Sequence, residues 1–260
     1  KQKNIIEIKN KEITDSLIYA KRIQSAILPD IKLIYKTLEQ SFILYLPKDI
    51  VSGDFYAFAQ KNDKVLIAAA DCTGHGVAGA FMSMIGSSLL NSIINEKNIT
   101  EPALVLDELN EGIIQSLKQR ESESNDGMDI SLCAFDLKNN SVQFSGAYRP
   151  LWLIRNNELL VYKSNKFPIG GQQIQHEEKF SQHKIKLQAN DTVYIFSDGF
   201  ADQFGGEKGK KLMMKKFKEL LLSIQKFSMH EQEDYLKEHF EKWKKNHEQV
   251  DDVLVIGIRI

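Results

Sequence analysis

Apolar residues recur along this chain at two periods, and the switches between them divide it. Ile6, Asn10, Ile13, Leu17, Ala20, Gln24 and Ile27 follow one another at steps of four and three, the seam of a coiled coil with two polar positions. The spacing predicts a long helix that Pro29 ends. Such a helix either lies on its own domain or pairs with a second copy and links to an upstream sensor. From residue 41 onward short β-rich runs take over, at 41–46, 55–59 and 65–70, the last two across the Lys61-Asn62-Asp63-Lys64 turn. Short turns between such runs imply antiparallel pairing, and 41–46 is expected to pair with 55–59. A helix is predicted over 77–94, with Phe81, Ile85 and Leu89 on one stripe, and another over 102–117. Strands return at 130–136, 141–144, 151–155, 184–187, 192–196 and 253–260, with helices at 209–223 and 229–245 before the last. Clustered strands broken by helix pairs define an α+β fold of antiparallel sheets flanked by helices, not a βαβ alternation. The expected organisation is a helical linker over 1–30 and one catalytic-sized domain over 31–260.

Composition narrows the function. Acidic and basic residues nearly balance, for a formal charge of -1, so no chain-wide positive field attracts nucleic acid or a membrane surface. Two cysteines, Cys72 and Cys133, have neither zinc-site spacing nor disulfide density, and a reducing cytoplasm fits them. No apolar run approaches the roughly 20 residues that span a bilayer, and the Lys-rich start lacks the apolar segment of a signal peptide. The chain begins at Lys1 inside the predicted helix, as a piece of a longer protein would.

The candidate chemistry lies in aspartates at strand ends and turns: Ser52-Gly53-Asp54, Asp71-Cys72-Thr73-Gly74-His75-Gly76, Ser197-Asp198-Gly199 and Asp251-Asp252-Val253. Each alone reads as an ordinary turn. Together, beside apolar strands, they are expected to converge at sheet rims, an arrangement that is costly unless cations neutralise it. Hard oxygen ligands select Mg²⁺ or Mn²⁺, and two such ions about 4 Å apart activate a water for in-line attack on a phosphoester. The stretch Gly74-His75-Gly76-Val77-Ala78-Gly79 also matches a dinucleotide fingerprint. Its context fails, because no second parallel strand with an acid follows about 20 residues on. Small residues such as Gly79 and Ala80 instead let a helix pack closely.

In that order, these segments resemble the metal-binding motifs of the bacterial SpoIIE-type (RsbU-like) phosphatases, within the metal-dependent PPM or type 2C superfamily. The similarity runs from about Lys21 to the C-terminus, and Ala147-Tyr148-Arg149-Pro150 and Phe167-Pro168-Ile169-Gly170 resemble further family loops. The resemblance implies a four-layer sandwich of two antiparallel sheets with helix pairs outside, two Mn²⁺ or Mg²⁺ ions with a weaker third, and hydrolysis of phosphoserine or phosphothreonine in a protein. By position, Asp71 resembles the carboxylate that bridges both metals, and the backbone carbonyl of Cys72 an additional ligand. Asp198 and Asp251 resemble ligands of one ion and Asp54 of the other. Asp252 is a further candidate ligand or a support for one, and Asp129, or Asp126 beside it, a candidate for the third ion. Where the family often has another acid after Gly-Asp-Phe-Tyr, this chain has Ala57. His75 is a candidate general acid with a near-neutral pKa, and Arg149 a candidate clamp for the phosphate dianion; a turn residue and a surface ion pair are their ordinary readings. The substrate implied is a phosphoprotein, a partner-switching regulator of transcription, with the N-terminal helix carrying a sensor's state across a homodimer. The competing reading is a phosphatase-like dimerising module with weak turnover.

Overall fold

Residues 64–72 form a nearly unbroken apolar run, which suits a strand buried on both faces. In the computed structural model, which describes residues 2–171 and 179–260, this run is β3 (Lys64–Cys72), an interior strand. Leu66, Ala68, Ala70 and Cys72 pack toward a helical layer, while Val65, Ile67 and Ala69 pack toward a second sheet.

The first sheet runs β2 (Asp54–Lys61), β3, β4 (Gly127–Asp136), β5 (Ser141–Ala147) and β9 (His183–Lys186), with β8 (Ile169–Gly170) beside β4. The second runs β1 (Ser41–Leu46), β13 (Val253–Arg259), β10 (Thr192–Phe196), β6 (Leu151–Arg155) and β7 (Glu158–Tyr162). Every pairing within these two sheets is antiparallel. Helices α3 (Gly76–Asn91), its π-helical continuation Ser92–Glu96, and α4 (Pro102–Ser116) cover the first sheet. Helices α6 (Met213–Ser223) and α7 (Met229–Lys244) cover the second, with the short α5 (Gly199–Asp202). The result is the expected four-layer sandwich, with one apolar core between the sheets and one under each helix pair. Outside it lie α1 (Gln2–Ile27), α2 (Ile31–Thr37) and a hairpin of β11 (Phe204–Gly205) with β12 (Lys210–Lys211).

Local signals place these elements. Asn62 and Asp63 take positive φ at the β2–β3 turn, the left-handed pair a tight hairpin requires. Asp30 caps α2 through the Lys32 amide, Pro102 opens α4, and Ser228 and Glu231 close a capping box on α7.

Several expectations are corrected. Residues 41–46 pair with β13 of the second sheet, not with 55–59. Phe42 and Leu44 face the outer helices while Ile43 faces the intersheet core, so this strand needs cover on both sides, and residues 47–53 cross between the sheets. Of the Phe81, Ile85 and Leu89 stripe of α3, Ile85 and Leu89 are half-buried against the core under the helices, but Phe81 is 62% exposed, and the fully buried face is Gly79, Ala80, Met82, Ser83, Gly86, Ser87 and Leu90. Small residues bring the helix axis close, since a Cβ on Gly86 would stand 2.7 Å from the Met128 methyl and 2.9 Å from the Phe55 ring. Helix α6 starts at Met213 rather than near Gly209, because Gly206 and Gly209 take positive φ around the β11–β12 hairpin. Gly76–Glu96 is, among the described residues, long and apolar enough to cross a membrane, which the sequence pattern did not lead one to expect; half of its apolar window is buried within this fold.

Candidate active site

Strand register assembles the acids. Asp54 opens β2 and stands opposite Asp71, and Asp71 stands opposite Asp129 across the β3–β4 ladder. Side chains alternate along a strand, so Asp71 continues the stripe of Val65, Ile67 and Ala69 that faces the second sheet. All three carboxylates therefore lie at the mouth of the intersheet core. From the second sheet come Asp198, just after β10, and Asp251 and Asp252, just before β13. The Ser197 amide donates to the Leu254 carbonyl at 2.9 Å and the Leu254 amide to the Ser197 hydroxyl at 3.0 Å, which ties those two strand ends together.

Arg149 stands among these acids. One of its terminal nitrogens donates to Asp71 and to Asp198 at 2.7 Å each and lies 3.1 Å from Asp129, with the guanidinium mostly buried. Tyr148, at positive φ, turns the chain after β5 so that Arg149 points inward. Among the described residues no three His, Cys, Asp or Glu side chains stand in ready-made ligand geometry; the cationic Arg149 side chain lies between Asp71, Asp129 and Asp198.

The electrostatics fit a cation better than a guanidinium alone. Burial pushes the Asp71 carboxyl up to about 7, with Asp198, Asp129 and Asp251 adding to the rise and Arg149 opposing it. Burial likewise lifts Asp129 to about 6 and raises Asp251. Asp54 is raised well above the ordinary carboxylate range, by complete burial and by the neighbouring Asp71, and one of its oxygens is buried with no hydrogen-bond partner. A buried, unpartnered carboxylate oxygen beside other carboxylates is a ligand position in search of a positive charge.

The remaining candidates separate. Asp252 is 2% exposed, and its two oxygens accept the Lys48 and Gly53 amides at 2.7 Å each. It clamps the crossing segment 47–53 and has no oxygen pointed at the acids without a partner. Asp251 caps the Asp252 amide at 2.9 Å. Asp129 joins the row, whereas Asp126 turns away to Thr73 and Ser124. The Cys72 thiol is buried under α3, which leaves its backbone for the site. His75 is half-exposed at the start of α3, and its Nδ1 lies 3.0 Å from Asp49 of the crossing segment rather than on the acids. Ala57 faces the α3 layer, so an acid there would not have joined the row.

Sequence reasoning missed Ser197 as a tie between strands, Asp49 as the partner of His75, and Gln24. The first two carry no periodic signal. Gln24, a seam position by its spacing, is buried within its own domain, where its amide donates to the Ser52 carbonyl at 2.6 Å and accepts the Ser52 backbone N–H at 3.1 Å.

The family profile described as Stage II sporulation protein E matches residues 61–260. The chain belongs to the SpoIIE family. The matched part of this SpoIIE-family chain holds Asp71, Asp129, Arg149, Asp198 and Asp251, while Asp54 and α1 lie before it. The SiaA-PP2C domain of Pseudomonas aeruginosa is 32% identical over 97% of this chain and 98% of that one, at a TM-score of 0.88. The SpoIIE phosphatase domain with part of its regulatory domain, from Bacillus subtilis, is 23% identical over 85% and 63%, at 0.68. The RsbU and RsbW domains of Rv1364c from Mycobacterium tuberculosis are 18% identical over 84% and 59%, at 0.65. No curated protein sequence matches significantly. This SpoIIE-family chain is a PP2C-type protein serine/threonine phosphatase domain of a metal-dependent family.

Proposed function

We propose that this domain hydrolyses phosphoserine or phosphothreonine in a partner-switching regulatory protein, using two Mn²⁺ or Mg²⁺ ions held between the two sheet ends. The observation that carries the reading is the convergence of acids distant in sequence: Asp71, Asp129 and Asp198 surround a single guanidinium, and Asp54 and Asp251 lie close enough to Asp71 to feel its charge. Asp71, central in the row, would be shared by both ions, with Asp54 on one side and Asp198 and Asp251 on the other. The Cys72 carbonyl would add a ligand, and Asp129 would serve a weaker third ion. When bound, the ions supply an activated water and neutralise phosphoryl charge. Of the related folds, RsbX, 12% identical at a TM-score of 0.58, was solved in complex with magnesium.

The chain's own groups do the rest. Arg149 offers guanidinium donors to phosphoryl oxygens once its acids are balanced by other cations. His75, with Nδ1 turned to Asp49, keeps Nε2 for a proton to the leaving oxygen.

Chelator-stripped protein is expected to lose turnover of a phosphopeptide and of para-nitrophenyl phosphate, and Mn²⁺ to restore it. Turnover that persists in chelator would overturn the metal mechanism, and a chain that turns over neither substrate with any divalent cation would be the weak dimerising module instead. The pH dependence has a defined sign. Carboxyls raised in the folded state hold protons that cations must displace, so Mn²⁺ affinity by calorimetry should climb through pH 6 and level off above about 7. Without metal, thermal stability should fall over the same rise from the ordinary carboxylate range to about 7, because the folded state binds more protons there than the unfolded chain.

We further propose that two copies join through the outer half of α1. Ile5, Ile6, Ile8 and Ile13 are 57–60% exposed there, and beside them an apolar groove of about 490 Å³ runs between α1 and α3, lined by Ile13, Leu17, Val77 and Phe81 among others. Light scattering is expected to give a dimer for the full chain and a monomer without residues 1–15; equal masses would discard this route.

A further inference from the structure

Residues 208–218, which run from the β11–β12 hairpin into α6, hold six lysines and no acid, in a chain whose formal charge is -1. Lys211 bonds Asp202 at 2.7 Å, and Lys216 lies 4.3 Å from the centre of the Trp243 ring. Lys208, Lys210 and Lys215 are exposed and form no ion pair among the described residues. Phe204, Met213 and Met214 stand out beside them, 39%, 58% and 37% exposed. A solvated lysine face is ordinary, but large apolar side chains left in water within a polar rim mark a contact surface. Met213 adds a second sign. It takes a φ of +72°, a conformation that residues other than glycine rarely adopt and that costs stability. The Leu212 amide donates to the Gln203 carbonyl at 3.0 Å, and the chain turns at once into α6, which leaves the strained Met213 pointing at solvent.

The hairpin is tied to both acid-bearing loops of the second sheet. Buried Gln203 donates to the Phe204 and Glu248 carbonyls at 2.9 Å each and accepts the Val250 amide at 3.2 Å, one residue before Asp251. The Trp243 indole donates to the Gln203 carbonyl at 2.9 Å, and a side chain on Gly205 would strike the Trp243 backbone. Phe204 and Lys211 are register partners, so they share one face of the hairpin. From that face Lys211 reaches Asp202, four residues after Asp198, and feels the charge of Asp198 as well. The patch therefore borders the acid row.

We propose that the β11–β12 hairpin and the start of α6 dock the protein part of the substrate, and that the surface they fit is acidic, with an apolar residue, beside the phosphoserine. This inference rests on the reading of the acids as a phosphatase site. Charge complementarity selects the occupant. A phosphoserine with acidic flanks is repelled by a row of carboxylates, and lysines at the rim offset that repulsion, speed the encounter and set which flanks are accepted. Phe204 and Met213 then cover the apolar residue.

The test uses the full chain with Mn²⁺ and three substrates: para-nitrophenyl phosphate, a phosphoserine peptide flanked by aspartates and a leucine, and the same peptide with lysines for the aspartates. The quantity read is kcat/KM for each peptide divided by that for para-nitrophenyl phosphate, at low and at high salt. The unsubstituted chain should prefer the acidic peptide and lose that preference in high salt, an arm that needs no variant to fold. Reversing two exposed charges, Lys208→Glu with Lys210→Glu, is expected to lower the ratio for the acidic peptide about tenfold or more at low salt and to raise it for the basic one. Met213→Gly, which suits the positive φ while removing the side chain, should lower both ratios several-fold at either salt. Ratios that hold within about twofold in these variants, or that fall alike for both peptides on charge reversal, would overturn the inference while leaving the metal site intact. Unchanged ratios with a loss of sedimentation on phosphatidylserine vesicles, or with a lower mass by light scattering, would give the patch to a membrane or to a second copy and overturn it equally. Failure of the unsubstituted chain to turn over any of the three substrates would instead remove the reading beneath it.

Discussion

Asp71→Asn is expected to lower phosphatase turnover by about a thousandfold or more while making the metal-free protein more stable. The first effect follows from its place: Asp71 is the middle of the row Asp54, Asp71, Asp129 and touches the Arg149 guanidinium shared with Asp198. Losing the shared ligand removes charge stabilisation and the activated water together, and single electrostatic contributors to catalysis are worth about 10²–10³. The second effect follows from its environment. Burial and three neighbouring acids lift its carboxyl to about 7, so at pH 8 the ionised group opposes folding. Asparagine keeps the shape without the charge, and the gain should be on the order of 2 kcal/mol at pH 8. Urea unfolding in chelator, beside steady-state kinetics in Mn²⁺, measures both. If the variant turned over normally, or lost stability along with activity, the row would be an ordinary structural ion-pair network. A site that is better folded when disabled is the signature of stability spent on function.

Asp252→Ala is expected to destabilise the protein by about 3–5 kcal/mol, with or without metal. Its carboxylate is buried and accepts two backbone amides, from Lys48 and Gly53. Truncation leaves the buried Gly53 donor and the half-buried Lys48 donor unpaired, each costing about 1–3 kcal/mol, in the segment that carries the chain from β1 in one sheet to β2 in the other. Activity should fall as well, since Gly53 precedes Asp54 and Asp251 precedes Asp252. Asp252→Asn keeps one good acceptor and should lose roughly half as much. Thermal or urea denaturation in chelator and in Mn²⁺ distinguishes this from a ligand's behaviour: a ligand's loss would show mainly when metal is present. A change below about 1 kcal/mol in chelator would refute the clamp.

The two aspartates stand at similar turns, and the chain does not tell them apart. Asp251 and Asp252 adjoin each other before the same strand, yet only alternation across the strand start, once its register is known, directs Asp252 inward to the crossing segment. Asp126 and Asp129 posed the same ambiguity. The β3–β4 register resolves it, because Asp129 falls opposite Asp71 and Asp126 lies before the strand. Gln24 was legible only as a polar residue in an apolar seam, and a seam looks the same whether it meets a second copy or its own domain.

By itself the sequence determined most of the longer elements, their antiparallel class and the identity of the acidic motifs, since periods of two and of about 3.6, turn residues and caps act locally; the short α2, β7 and the β11–β12 hairpin carry too few residues for a period to show. It also carried the family resemblance, because motif order survives without coordinates. Only the tertiary structure decided that 41–46 belongs beside the C-terminal strand, that Phe81 faces away from the sheet, that Arg149 lies among the acids, and that Gln24 grips the backbone ahead of Asp54. Each of these is a contact between segments far apart in the chain, chosen by which apolar faces and buried hydrogen-bonding groups can satisfy one another at once, and no local pattern records that choice.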